Sequence, residues 1–484
     1  MKKKEYINNK IFGLLLILTM IIYSCRSNLG INQGLELPFV FSDNMVLQQD
    51  FDASFWGKSK SNETVSVKGS WGEESSVKSN QKGDWELKLS TPKAGGPYTV
   101  TIQTASNSIL LKDVMIGEVW LSSGQSNMEW RMNQCINCIY DQDKEISSVD
   151  NNQIRMFTVP MDLSGELIKE SKWLVANPKN AEGFSAAAYY FARKLNKELK
   201  IPIGIVNTSW GGTRVEAWTS NSKLSSLSTT KNKVPKYDDY DLFEKESIKL
   251  KDSINDPNSY SILFEKMLKP VLPYSIKGAI WYQGESNVDN SFEYQELFTG
   301  MIEDWRESWS YNFSFYYVQI APFEYLPFQE SQKLRDAQRK TLKTTSKTGM
   351  AVIMEIGEEK DIHPHNKQDV GKRLALLALD KDYEFDIISS GPLYKSHKTF
   401  SNYIDIDFEN KGSGLISKGA LKDFEVAGDN MIYKTAKAEI IDNKIRVYSN
   451  KVKYPKHVRY GWKNWTVGSL FNKEGLPASS FSSN

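Results

Sequence analysis

The 484 residues include only three cysteines and four histidines. Cysteine this sparse excludes a disulfide-framed fold, in which a small core leans on many crosslinks. It also leaves no cysteine cluster to hold zinc. Beyond the first 24 residues no apolar run is long enough to span a bilayer. A basic surplus is missing as well. The formal charge is +2, and residues 1–24 carry four lysines against one glutamate. Without that segment the charge falls to about −1, which argues against nucleic acid as a partner. Internal repeats and low-complexity tracts are absent. What remains is ordinary for a globular chain, with 40% hydrophobic and 25% charged residues. The length suits roughly two to four domains.

The N-terminus reads as an export signal. Lys2, Lys3, Lys4 and Lys10 flank an apolar stretch at 11–22, too short for a span and suited to a signal-peptide core. Ile22-Tyr23-Ser24-Cys25 resembles a bacterial lipobox, which implies cleavage before Cys25 and lipidation of its thiol. An ordinary signal peptide with an incidental cysteine is the alternative. The expectation is an exported lipoprotein facing the periplasm or cell surface, with residues 25–36 as a flexible tether. Cys135 and Cys138 are spaced Cys-x-x-Cys with no further metal ligands evident nearby. In an oxidising compartment a local disulfide is expected, with free thiols the alternative.

Three textures divide the rest. From 37 to 113, short alternating runs at 64–68, 85–89 and 98–102 are punctuated by turn residues such as Lys82-Gly83-Asp84 and Gly95-Gly96-Pro97. That spacing predicts a β-sandwich-like domain. From 114 to 385, apolar runs alternate with helical patterns. Residues 201–206, 278–282, 315–320 and 350–354 read as buried parallel strands, and 186–199, 334–344 and 371–379 as helices. The alternation predicts an α/β doubly wound domain with a mostly parallel sheet. Residues 226–258 are charged and irregular and read as an insertion or surface helix. From 386 to 484, runs at 403–408, 438–441 and 444–448 predict a second β-sandwich-like domain.

The most informative stretch is Val119-Trp120-Leu121-Ser122-Ser123-Gly124-Gln125-Ser126-Asn127-Met128. A β-prone run stops at Gly124, and a serine follows where a helix can begin. That layout lifts the Ser126 hydroxyl out of a sheet edge, with backbone N–H groups aimed at whatever it attacks. Far downstream lies Asp361-Ile362-His363-Pro364. Together they offer a nucleophile, a base-orienting carboxylate and a base in the order Ser…Asp…His. Imidazole can take the serine proton and return it to a leaving alcohol. Glu359 is the alternative orienting group and His365 the rival base, while Pro364 stiffens the loop that presents His363.

Two further segments follow buried strands. In Asn207-Thr208-Ser209-Trp210-Gly211-Gly212-Thr213, paired glycines either bring a backbone N–H close to a ligand or make a tight turn. Trp281-Tyr282-Gln283-Gly284-Glu285-Ser286-Asn287 places Gln283 and Glu285 at the carboxyl edge of the sheet, where α/β ligand sites form. The Gln283 amide is a candidate oxyanion donor. Glu285 is a site carboxylate or a structural partner of Arg214 or another arginine.

Gly-Gln-Ser-Asn-Met, Ser-Trp-Gly-Gly-Thr, Trp-Tyr-Gln-Gly-Glu-Ser-Asn and Asp-Ile-His-Pro together resemble the motifs of the SGNH hydrolases, specifically their sialate O-acetylesterase branch. The resemblance runs from Asp43-Asn44-Met45-Val46-Leu47-Gln48 to Glu474-Gly475-Leu476-Pro477-Ala478. It implies an SGNH-type α/β core with Ser126 as nucleophile, His363 as base and Asp361 as its partner. By position, the oxyanion donors it implies are the N–H groups of Ser126 and Gly212 and the Gln283 side chain. Two departures stand out. Many SGNH enzymes carry an asparagine in the third block, and their acid stands three residues before the histidine instead of two. The implied reaction hydrolyses an acetyl ester on a sialic acid or related glycan, with no metal or organic cofactor. An acetylxylan-type esterase on the same machinery, or an inactive lipid-anchored glycan-binding protein, are the competing readings.

Overall fold

The computed structural model describes residues 34–164, 171–234 and 256–484. The signal-like start with Cys25 and most of the expected insertion at 226–258 lie outside the described residues. No helix among the described residues is long and apolar enough to cross a membrane.

The chain divides into two compact units. Among the described residues, the smaller comprises 34–37, 55–89 and 100–110. Its strands obey a period of two. In Asp84–Thr91, Trp85, Leu87 and Leu89 are buried while Glu86 and Lys88 are exposed, because successive side chains leave opposite faces of a strand. Thr64–Gly69 pairs antiparallel with Glu74–Lys78, as the turn chemistry requires.

The larger unit, 38–54, 90–99 and 111–484, holds a central sheet and, farther along the chain, an antiparallel one. The central strands are β1 (Ser108–Gly124), β2 (Asn151–Thr158), β3 (Leu174–Ala176), β4 (Ile203–Ser209), β5 (Gly278–Tyr282), β6 (Ser314–Val318) and β7 (Thr348–Ala351), in the order β7-β6-β5-β1-β4-β2-β3. All these neighbours run parallel except the edge pair β2–β3. Every residue of β4, β5 and β6 is buried, as in a sheet covered on both faces. The main helices are α1 (Ser126–Glu129), α2 (Ala186–Leu199), α3 (Tyr294–Trp309), α4 (Ser331–Thr344) and α5 (Lys367–Lys381). The α2 helix starts where Ser185 Oγ accepts the Ala188 N–H, and it buries Tyr189, Tyr190, Phe191 and Leu195.

Register decides where a site forms. Ser209 of β4 and Tyr282 of β5 both lie opposite Gly124 of β1, so three strands end at one level. Strand order departs from β1 on both sides, and the loops after β1, β4 and β5 therefore converge at a topological switch point. This is the expected α/β arrangement.

The C-terminal sheet has seven antiparallel strands and belongs to the same compact unit as the α/β core. Ile404, Ile406, Phe408, Val426, Ile445 and Val447 fill its core. Arg335 of α4, fully buried, ties the two together by donating to Ser480 Oγ and the Gly461 carbonyl.

Cys135 and Cys138 are joined as a disulfide in the loop after α1. Closing so short a loop limits its worth to about 2 kcal/mol in the chain-entropy picture. The double variant Cys135→Ser, Cys138→Ser is expected to lose stability of that order in urea unfolding. Its kcat is expected to stay unchanged, since neither sulfur touches Ser126 or His363.

Candidate active site

The end of β1 is built so that Ser126 emerges at the sheet edge. Gly124 has φ +140°, and a Cβ there would meet the Tyr282 carbonyl oxygen at 2.2 Å, so only glycine fits beside β5. Gln125 then anchors the turn: its Oε1 accepts the N–H groups of Gly284 and Ser286, both at 3.2 Å. Ser126 is the first residue of α1. Its backbone N–H is one of the orphan donors of a helix start and has no partner among the described residues.

His363 arrives from a segment 237 residues away. Its Nε2 lies 2.9 Å from Ser126 Oγ, a hydrogen bond. Its ring stacks on Trp130, the residue after α1, with centroids 4.2 Å apart and planes 21° from parallel. Burial pushes the His363 pKa below its ordinary value, the nearby Lys367 charge adds to that, and Asp361 opposes both. The balance favours the neutral imidazole, the form that accepts a proton.

Asp361 is close but does not grip the ring. Its Oδ1 stands 3.6 Å from His363 Nδ1, beyond a hydrogen bond, and instead accepts the His363 backbone N–H at 2.8 Å. Glu359, the alternative orienting group, is exposed. The rival base His365 is engaged elsewhere: its Nδ1 faces both Glu358 oxygens, at 2.8 and 2.9 Å. Glu358, Asp361 and His365 each bring a ligand atom within 4.8 Å of the others. All three already have protein partners, and acyl transfer requires no ion there.

The loop after β4 passes directly against the serine. A Cβ on Gly211 would come within 3.3 Å of Ser126 Cβ and 3.1 Å of Glu129 Oε2. The Gly211 N–H is taken by Glu129 Oε2 at 2.7 Å. Gly212, at φ +73°, turns its own N–H to no described partner. Asn258 pins this turn, donating to the Gly212 carbonyl and accepting the Arg214 N–H. The N–H groups of Ser126 and Gly212 thus both lack a partner among the described residues, one at the start of α1 and one in the loop that packs against it.

Gln283 requires a correction. It is fully buried, and its amide N–H groups go to the Thr213 carbonyl at 3.1 Å and to Asn287 Oδ1 at 2.7 Å, while Tyr294 donates to its Oε1. No N–H remains for an oxyanion, and the side chain braces the loops after β4 and β5 instead. Glu285 does not pair with Arg214 either. Its Oε1 accepts from Asn127 Nδ2 at 2.7 Å, and the cation near it is Lys367. Asn127, Trp130 and Lys367 are the participants that sequence reasoning passed over.

This geometry agrees with the comparisons. A family model described as carbohydrate esterase, sialic acid-specific acetylesterase, matches residues 116–380. The sialate O-acetylesterase of Homo sapiens is 31% identical over 421 residues, covering 78% of this chain and 76% of the human protein. That of Mus musculus is 30% identical over 444 residues, with 80% of each chain covered. The crystal structure of a carbohydrate acetylesterase from Xanthomonas citri matches with a TM-score of 0.82 and 32% identity, over 93% of this chain and 99% of that one. The chain belongs to the carbohydrate esterase family of sialic acid-specific acetylesterases and is a carboxylic ester hydrolase.

Proposed function

We propose that this enzyme removes O-acetyl groups from sialic acids or related glycans through an acetyl-enzyme on Ser126. The observation that carries the reading is the 2.9 Å contact between Ser126 Oγ and His363 Nε2; the unpartnered N–H groups of Ser126 and Gly212 are the candidate oxyanion donors. His363 takes the Ser126 proton as Oγ attacks the acetyl carbonyl. Charge on the carbonyl oxygen develops between the N–H groups of Ser126 and Gly212. The tetrahedral intermediate collapses when His363 returns the proton to the departing sugar hydroxyl. Water, deprotonated by the same imidazole, then releases acetate and restores Ser126. Trp130 holds the ring plane through both steps, and Asp361 fixes the backbone that carries it. The lysine-rich start and Ser24-Cys25 support display of the enzyme on a lipid anchor, outside the cytoplasm.

Acetate release from O-acetylated sialic acids, set against acetylated xylo-oligosaccharides, tests the substrate. Faster turnover of the sialic acids is expected, and turnover of the xylo-oligosaccharides alone would overturn the assignment. Release from neither would favour a glycan-binding role.

The pH profile follows from the depressed His363 pKa. Only neutral imidazole can accept the serine proton, so activity falls as pH drops through that pKa. Burial moves the fall below the ordinary histidine value of 6.5. The acid limb of kcat/KM is therefore expected below pH 6.5, and a limb above it would contradict the burial argument.

A further inference from the structure

Lys367 breaks two local rules at once. It is the first residue of α5, where the helix dipole disfavours a cation, and none of its surface reaches solvent. Burial pushes its pKa down to about 7, against the pull of Glu285, Asp361 and Glu358. Its Nζ has a single hydrogen-bond partner among the described residues, Asn127 Oδ1 at 2.6 Å. The rings of Trp130 and Tyr282 lie 5.6 and 5.8 Å away, close enough for cation–π attraction. Residues that violate local preference in this way cluster where function demands them.

The ammonium acts on Asn127. A buried amide can lie either way round unless its partners tell oxygen from nitrogen, and an ammonium, which only donates, does so. With Oδ1 held by Lys367, the Nδ2 hydrogens point to acceptors: Glu285 Oε1 at 2.7 Å and the Ile362 carbonyl at 3.0 Å. Asn127 immediately follows Ser126, and Ile362 immediately precedes His363. One amide therefore clamps together the two segments whose side chains must meet. Turned the other way, it would set an N–H against the ammonium and its oxygen against a carbonyl and a carboxylate. Glu285 completes the arrangement as the nearby anion. It is itself buried, and its Oε2 has no hydrogen-bond partner.

We propose that Lys367, acting through Asn127 and balanced by Glu285, is a positioning residue for the Ser126–His363 pair. The ammonium, together with the Glu285 carboxylate and the Ile362 carbonyl, sets the orientation of the amide, and the amide holds the His363 loop against α1. None of the three touches Ser126 Oγ. The inference rests on Ser126 and His363 acting as described above, so its test includes a variant that separates the two claims.

The full chain, as Lys367→Met, Asn127→Asp and Ser126→Ala, is assayed with 4-nitrophenyl acetate, with circular dichroism as the check on folding. Lys367→Met is expected to lower kcat by about 10- to 100-fold, as sub-ångström to ångström misplacement of reacting groups does. KM is expected to change by less than about threefold, since no substrate contact is removed. The acid limb of kcat/KM is expected to move to higher pH. The charged groups facing His363 are Asp361 and Lys367, and removing the cation takes away the one that opposes the imidazolium. Looser packing alone would leave that limb in place. Asn127→Asp keeps the acceptor for Lys367 but loses both donations, so its kcat is expected to fall similarly. A folded Lys367→Met enzyme with wild-type kcat, or one whose acid limb stays put, overturns the proposal. Should Lys367→Met fail to fold, wild-type kcat in Asn127→Asp overturns it instead. Wild-type rates in Ser126→Ala would overturn the nucleophile assignment, a separate outcome.

Discussion

Ser126→Ala is expected to lower kcat for 4-nitrophenyl acetate by roughly 10⁴-fold or more, the scale on which removing a nucleophile acts. The fold should survive. Ser126 Oγ makes one hydrogen bond among the described residues, to His363 Nε2, and alanine keeps the backbone N–H and favours the first helical turn. Stability is therefore expected to change by no more than about 0.5 kcal/mol in urea unfolding. A residual rate above the uncatalysed one is also expected, because the proposed oxyanion donors, the N–H groups of Ser126 and Gly212, belong to the backbone and stay in place. Labelling by a fluorophosphonate should vanish in the variant. Turnover near the wild-type rate in a correctly folded Ser126→Ala protein would place the nucleophile elsewhere.

The chemistry of this site was more legible in the sequence than its scaffolding, for a physical reason. Ser126 and His363 lie in motifs where residue type and chain order both carry the mechanism, and 237 residues of separation do not blur that. The expected helix at 186–199 has the observed bounds because Ser185 supplies a cap and its buried face is continuous. The strand Asn151–Thr158 escaped notice because three polar residues open it and its pairing with β4 and β3, not its own pattern, makes it a strand. The α3 helix did carry a signal, Leu297, Met301, Trp305 and Trp309 at intervals of four, and all are buried. Gln283 was misjudged for a different reason. Position at the end of β5 says that an amide stands at the sheet edge, but the direction it faces depends on Thr213 and Asn287. The role of Asn127 was equally hidden, since its partners come from β5's loop and from α5. Lys367 gave no sign of it either, because the helix read from the sequence began only at 371, whereas the structure starts it at Lys367.

His363→Ala is expected to cut kcat by about 10³- to 10⁴-fold, and His365→Ala by less than about tenfold. Sequence alone leaves these two histidines as rivals, two residues apart in one loop. Geometry separates them. His363 Nε2 reaches Ser126 Oγ, whereas His365 Nδ1 is bound by both oxygens of Glu358 and its ring lies beside Tyr140. The His365 backbone also serves the loop, its carbonyl accepting the N–H groups of Tyr140 and Lys367. Those bonds survive alanine substitution, so its loss should loosen the loop without removing the base. Added imidazole sharpens the contrast. In His363→Ala the slot against Trp130 stands open, and free imidazole is expected to restore part of the rate; in His365→Ala it should restore nothing. The opposite ranking, or rescue of His365→Ala instead, would mean that the proton leaves Ser126 by another path and that the 2.9 Å contact is not the catalytic one.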